Sequence, residues 1–99
     1  SGKSYVSSIS LIELFSGARN KKEIDSIRKF FSRSLISHIN ESMSINAVNI
    51  SRKHCIVDGI SMADALIAAC AINMNCILVT KNVKHFRVIN DLEIRKPEY

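Results

Sequence analysis

The amino-acid sequence predicts an α/β sandwich, a mostly parallel sheet flanked by helices, and three observations carry that expectation. Short apolar runs alternate with helical segments in the order β-α-α-β-α-α-β-β. One run, Cys76-Ile77-Leu78-Val79-Thr80, is of the β-branched kind that is buried on both faces of a parallel sheet. The helix before it offers a face of small residues, Ala65, Leu66, Ala68, Ala69 and Ile72, suited to close packing.

The elements follow in order. Lys3 to Ile9 carries Tyr5, Val6 and Ile9 among serines and reads as a short strand. Ser10-Leu11-Ile12-Glu13 then has the S-x-x-E pattern of a capping box and should open a helix, placing Glu13 in its first turn. Asn20-Lys21-Lys22-Glu23 is a second cap signal, followed by Ile24, Ile27, Phe30 and Phe31 at helical spacing as core material. Leu35 to Ile39 alternates as a strand. Glu41 to Val57 reads as a longer helix with Ile45, Val48 and Arg52 on successive turns, and Asp58-Gly59 is its stop. Ser61 is the N-cap expected for the alanine-rich helix, with Asp64 at its third position. After the 76–80 strand and the polar turn Lys81-Asn82, a last strand is expected near Leu92 to Ile94.

Length and charge bound the function. Ninety-nine residues with 46% hydrophobic side chains suit one domain spanning 1–99. The longest unbroken apolar run, Ala65 to Ile72, is far short of the about 20 residues that a membrane-spanning helix requires. A formal net charge of +5, from 14 Lys and Arg against 9 Asp and Glu, favours an anionic partner such as nucleic acid. Cys55, Cys70 and Cys76 form no C-x-x-C pair, and Ser1-Gly2-Lys3-Ser4-Tyr5 lacks the apolar segment of a signal peptide, so a reducing cytoplasm is expected.

The topology directs the chemistry to one edge. In parallel α/β units, helix N-termini and strand C-termini gather on the same side of the sheet, where ligands bind. Glu13 and Asp64, in first turns, and Thr80 and Asn82, at a strand's C-terminal end, should all face that side. Two carboxylates on one rim suit a hard cation such as Mg²⁺ or Mn²⁺. Both acids also satisfy what a helix N-terminus wants for capping and for its dipole. Against a purely capping role, each sits in an apolar stretch, where a buried carboxylate costs several kcal/mol without a partner.

Three segments resemble successive blocks of a PIN domain of the VapC toxin type: Ser7-Ser8-Ile9-Ser10-Leu11-Ile12-Glu13-Leu14, Gly59-Ile60-Ser61-Met62-Ala63-Asp64-Ala65-Leu66-Ile67-Ala68-Ala69 and Leu78-Val79-Thr80-Lys81-Asn82-Val83-Lys84-His85-Phe86. They stand in the family's order and cover nearly the whole chain, and Gly17-Ala18-Arg19-Asn20 resembles the family as well. The resemblance implies a Mg²⁺- or Mn²⁺-dependent endoribonuclease, the toxin of a toxin–antitoxin pair, generally dimeric. By motif, Glu13 and Asp64 match two of its metal-binding acids, and Thr80 and Asn82 match its conserved polar pair. Lys81, Lys84 and Arg87, just beyond the same strand end, are candidates to hold the RNA backbone.

The chain departs from the family at two places. The family's first block, a strand ending in Asp-x-Asn, belongs upstream of Ser1; the resemblance thus implies a PIN-like sandwich lacking its first strand and helix, on the order of 25–30 residues. His85 stands where many relatives carry another acid, and a surface residue beside Phe86 is the plainer reading of it. The alternative to an active enzyme is a catalytically silent module that acts through antitoxin binding or self-association, because losing an acid weakens Mg²⁺ binding and an unpaired sheet edge invites association.

Overall fold

The computed structural model describes residues 5–80 and 82–96, so Lys3 and Ser4 of the first expected strand lie outside the described residues. The chain divides into two compact units, Ser1–His38 and Ile39–Tyr99. Mixed helix and parallel strand are present in each, as the sequence predicts.

In the first unit, β1 (Tyr5–Ser7) leads directly into α1 (Ser8–Ser16), and α2 (Lys21–Phe30) returns the chain to β2 (Leu35–Ser37). The strands are parallel, with Val6 opposite Ile36 and Ser7 opposite Ser37. Val6 is buried against this pair. Helix α1 starts earlier than Ser10. Ser7 is extended at φ −68° and ψ 140°, and its hydroxyl accepts the Ile9 N–H at 3.1 Å, so Ser7 is the cap. The first turn of α1 therefore contains no acid, and Glu13 is its sixth residue, on an exposed stretch.

Helix α2 is capped as expected: the Asn20 side chain accepts the Glu23 N–H at 2.9 Å. Glu23 reaches back to the Arg19 N–H at 2.9 Å and to its guanidinium at 2.8 and 3.1 Å. Its apolar face is not the core material that the spacing suggests. No residue of α2 is buried, and Phe30 is 73% exposed, touching Phe31 edge-to-face. Leu11, Phe15, Ile27, Phe31 and Ile36 instead line an open groove within this unit.

The second unit is built on two antiparallel helices. Asn40 accepts the Met43 N–H at 2.8 Å and starts α3 (Glu41–His54); Ser61 accepts the Asp64 N–H at 3.1 Å and starts α4 (Met62–Asn73). The buried face of α3 is Met43, Ala47 and Ile50, and the positions of Ile45 and Val48 are exposed, so the stripe inferred from sequence faces outward. Ala65, Ile67, Ala68, Ala69 and Cys70 of α4 supply the complementary surface, with Ala68 and Ala69 at 0% exposure. The Asn73 amide donates to the Ser42 hydroxyl at 2.9 Å and ties the C-terminal end of α4 to the N-terminal end of α3. Helix α3 stops at His54, short of Val57, and Ile56 and Val57 stand out at 91% and 83% exposure. Gly59, at φ +68°, makes the turn into α4.

Strand β3 is only Leu78–Val79, parallel to β4 (Ile94–Arg95), with Leu78 opposite Ile94. Among the described residues β4 is its sole ladder partner, and Val79 is 56% exposed, so the expected burial on both faces is not met. A short helix that the sequence order omitted, α5 (Val83–Phe86), links the two strands and buries Phe86.

Two outcomes follow for stability. Met43 is 1% exposed between α3 and α4, so Met43→Ala should cost about 2–5 kcal/mol in urea denaturation. The Arg19 guanidinium, followed by its N–H, holds the Glu23 carboxyl below the usual glutamate range. A depressed folded pKa contributes stability above the unfolded value and loses it as pH falls through the folded one. Amide protection factors at the start of α2, corrected for intrinsic exchange, should therefore fall on acidification through that window, and Glu23→Gln should abolish this response.

Candidate active site

Asp64 is the third residue of α4, and its backbone N–H is already used on the Ser61 hydroxyl. Its carboxylate does not complete the reciprocal capping pattern. Oδ2 lies 3.2 Å from His85 Nδ1, and the side chain keeps only 17% of its surface exposed. Asp64 is thus a half-buried acid directed away from its own helix end, which is the arrangement that the apolar stretch around it required.

His85, on α5, gathers the rest. Its Nε2 lies 3.1 Å from the Gly59 carbonyl, and its Nδ1 lies 3.0 Å from the Asn82 side-chain nitrogen. A carbonyl oxygen only accepts, so Nε2 carries a proton; Nδ1 faces both the Asp64 carboxylate and the Asn82 side-chain nitrogen. Asn82 precedes α5, yet its side chain makes no capping bond to that helix. Its backbone N–H donates to Thr80 Oγ1 at 3.0 Å, and its carbonyl accepts the His85 N–H at 3.1 Å. Thr80, at the end of β3, is placed by its own N–H on the Arg95 carbonyl at 3.0 Å.

Asn82 and His85 also line an open pocket of about 320 Å³ with Asp58, Lys84 and Val88. The carboxylate of Asp58 is held by His54, Nδ1 to Oδ2 at 2.7 Å. This pair joins the last residue of α3 to the turn before Gly59, and the Asp58 and Ile60 N–H groups both donate to the His54 carbonyl.

Of the residues singled out from sequence, Asp64, Thr80 and Asn82 therefore meet within one unit, linked through His85. Glu13 belongs to the other unit and is described there alone. Lys84 and Arg87 are exposed, at α5 and just after it, and Lys81 lies outside the described residues. Sequence reasoning treated His85 as a surface residue and did not use the His54–Asp58 pair. The signals were the helical spacings Asn82-x-x-His85 and His54-x-x-x-Asp58, visible only once both segments are known to be helical or turn.

A hard divalent cation fits these residues by donor type, since Asp64 and Asn82 offer carboxylate and amide oxygens. The number of donors is small: among the described residues no group of three or more His, Cys, Asp or Glu side chains is gathered for a metal.

Comparison with known proteins places this arrangement in a family. Among solved structures, VapBC-1 from nontypeable Haemophilus influenzae is similar with a TM-score of 0.77 at 26% identity, over 95% of this chain and 74% of that one. VapBC2 from Rickettsia felis, bound to a DNA fragment from their promoter, is similar with a TM-score of 0.81 at 26% identity, over 97% and 76%. DNA-bound VapBC from Salmonella typhimurium shares the fold, with a TM-score of 0.79 at 24% identity over 93% and 74%. No curated protein sequence matches significantly. The family model for the PIN domain matches residues 1–91, which is nearly the whole chain, and the chain belongs to the PIN domain family.

Proposed function

We propose that this chain is the nuclease toxin of a VapBC-type toxin–antitoxin pair, an endoribonuclease that uses Mg²⁺ or Mn²⁺. The observation that carries the reading is Asp64, a half-buried carboxylate at a helix N-terminus that turns away from its cap toward Asn82 and His85. The PIN family match and the likeness to VapBC complexes support the reaction class and an antitoxin partner. The excess of basic residues supports a nucleic acid substrate, RNA in this reading.

Glu13 and Asp64 would hold the cation, directly or through water. When bound, the cation supplies Lewis acidity that activates water and neutralises charge on the phosphoryl oxygens. Asn82 and Thr80 orient a ligand or the attacking water by hydrogen bonds. Lys84, Arg87 and Lys81 hold the sugar-phosphate backbone as positive charges without reading sequence. We place the protein in the cytoplasm as a homodimer; the sequence holds three cysteines and no C-x-x-C pair, in keeping with a reducing compartment.

The shortage of gathered donors favours a second reading, a silent module acting through antitoxin binding or self-association. The two readings separate in one experiment. Mn²⁺-dependent cleavage of single-stranded RNA should fall about 100-fold or more in Glu13→Ala and in Asp64→Ala, if each removes a ligand to the charge-stabilising cation. Undiminished cleavage by both variants would reject this site. Antitoxin binding by the parent protein with no Mn²⁺ heat in calorimetry would establish the silent module.

A further inference from the structure

We propose that the pocket lined by Asp58, Asn82, Lys84, His85 and Val88 takes an unpaired guanine of the RNA substrate, read by the Asp58 carboxylate. The inference rests on the reading of Asp64 as part of an RNA-cleaving site, since His85, which lines the pocket, also meets Asp64 at 3.2 Å. At about 320 Å³ the pocket has the size of a small-ligand cleft and admits one base with its sugar.

Asp58 is the residue that selects. It stands just past the C-terminal end of α3, where the helix dipole disfavours an anion, so helix stability does not account for it. The His54 ring donates from Nδ1 to its Oδ2 at 2.7 Å, and the side chain keeps 25% of its surface exposed. Oδ1 has no hydrogen bond among the described residues. A carboxylate only accepts, and each oxygen has two lone pairs, so the group held by His54 still offers two acceptor oxygens side by side. Such a group repels a phosphate and calls for an occupant with paired donors.

Among the RNA bases guanine alone carries two adjacent donors, N1–H and the N2 amino group, on its Watson–Crick edge. Adenine and cytosine set one amino group beside a ring acceptor, and uracil sets one N–H between two carbonyls; each would turn a lone pair on the carboxylate. Base pairing occupies that same edge, so the guanine read here is single-stranded. Val88 and the His85 ring are apolar and aromatic surfaces against which a base can pack. Lys84 is exposed and makes no ion pair among the described residues, which leaves it to hold the adjoining phosphate without reading sequence.

Inosine differs from guanosine only in lacking the N2 amino group, and it therefore isolates the second donor. Titration of the protein with 5′-GMP, without metal, should shift the backbone amides of Asp58, Lys84 and Val88 in ¹⁵N–¹H spectra. The Kd of GMP should be about fivefold or more below that of inosine 5′-monophosphate, and below those of AMP, CMP and UMP. Asp58→Asn keeps the shape and an acceptor for His54 but turns donors on the base, so the two nucleotides should bind it within about twofold. Lys84→Ala should weaken both alike and keep their ratio. With Mn²⁺, a single-stranded RNA cut beside a guanosine should be cut more slowly when inosine replaces it, in the parent protein and not in Asp58→Asn.

Equal affinity for the two nucleotides in the parent protein, or a guanine preference that survives Asp58→Asn, would overturn the proposal. Shifts of the same amides by argininamide and not by GMP would overturn it as well, assigning the pocket to a protein side chain. A parent protein that cleaves no RNA yet prefers GMP to inosine monophosphate would reject the nuclease reading and leave the pocket assigned to guanine.

Discussion

The close packing of α4 on α3 is the constraint on which the site depends. Ala68 and Ala69 have no exposed surface and Met43 has almost none, so α4 is held at the distance that two methyl groups allow. A helix seated that tightly cannot rotate without opening a void or a clash. The rotation of α4 sets the direction of Asp64, three residues past the cap and one before the buried Ala65. The apolar surface is therefore what places the acid, and the Asn73 to Ser42 hydrogen bond fixes the far end of the same pair.

From that base the polar groups organise one another. The chain leaves α3 at His54, whose ring holds Asp58, and turns through Gly59 so that a carbonyl faces His85. His85 stands on a helix of four residues, too short to be stable alone. It is kept in place by the burial of Phe86 and Ile89 beside it. Burial of Phe86 and a carbonyl at residue 59 thus set the ring, which meets Asp64 and Asn82. The polar cluster occupies residues that the core does not use.

Much of this was legible in the sequence, and the failures have physical causes. The caps at Asn20 and Ser61 follow from short side chains whose oxygen reaches an N–H two or three residues on, and both occur where expected. The α1 cap was misplaced because Ser7, Ser8 and Ser10 are all competent caps, and only the extended backbone at Ser7 selects among them. On α3 two apolar stripes were available. Ile45 and Val48 form one, yet Met43, Ala47 and Ile50 form the buried one, because the small Ala47 admits the alanine face of α4. At the site, Asp64, Thr80 and Asn82 were readable from motif and topology. His85 was not, since its importance lies in a contact with a carbonyl 26 residues earlier, which no local pattern encodes.

The central claim is that Asp64 is a cation-binding carboxylate and not merely a helix cap. Anomalous scattering from crystals of the protein soaked in Mn²⁺ tests it most directly. The expected result is a peak with an Asp64 carboxylate oxygen at a metal–ligand distance of about 2.1 Å. A protein that cleaves RNA with Mn²⁺ but shows its manganese peak away from Asp64 would contradict the claim.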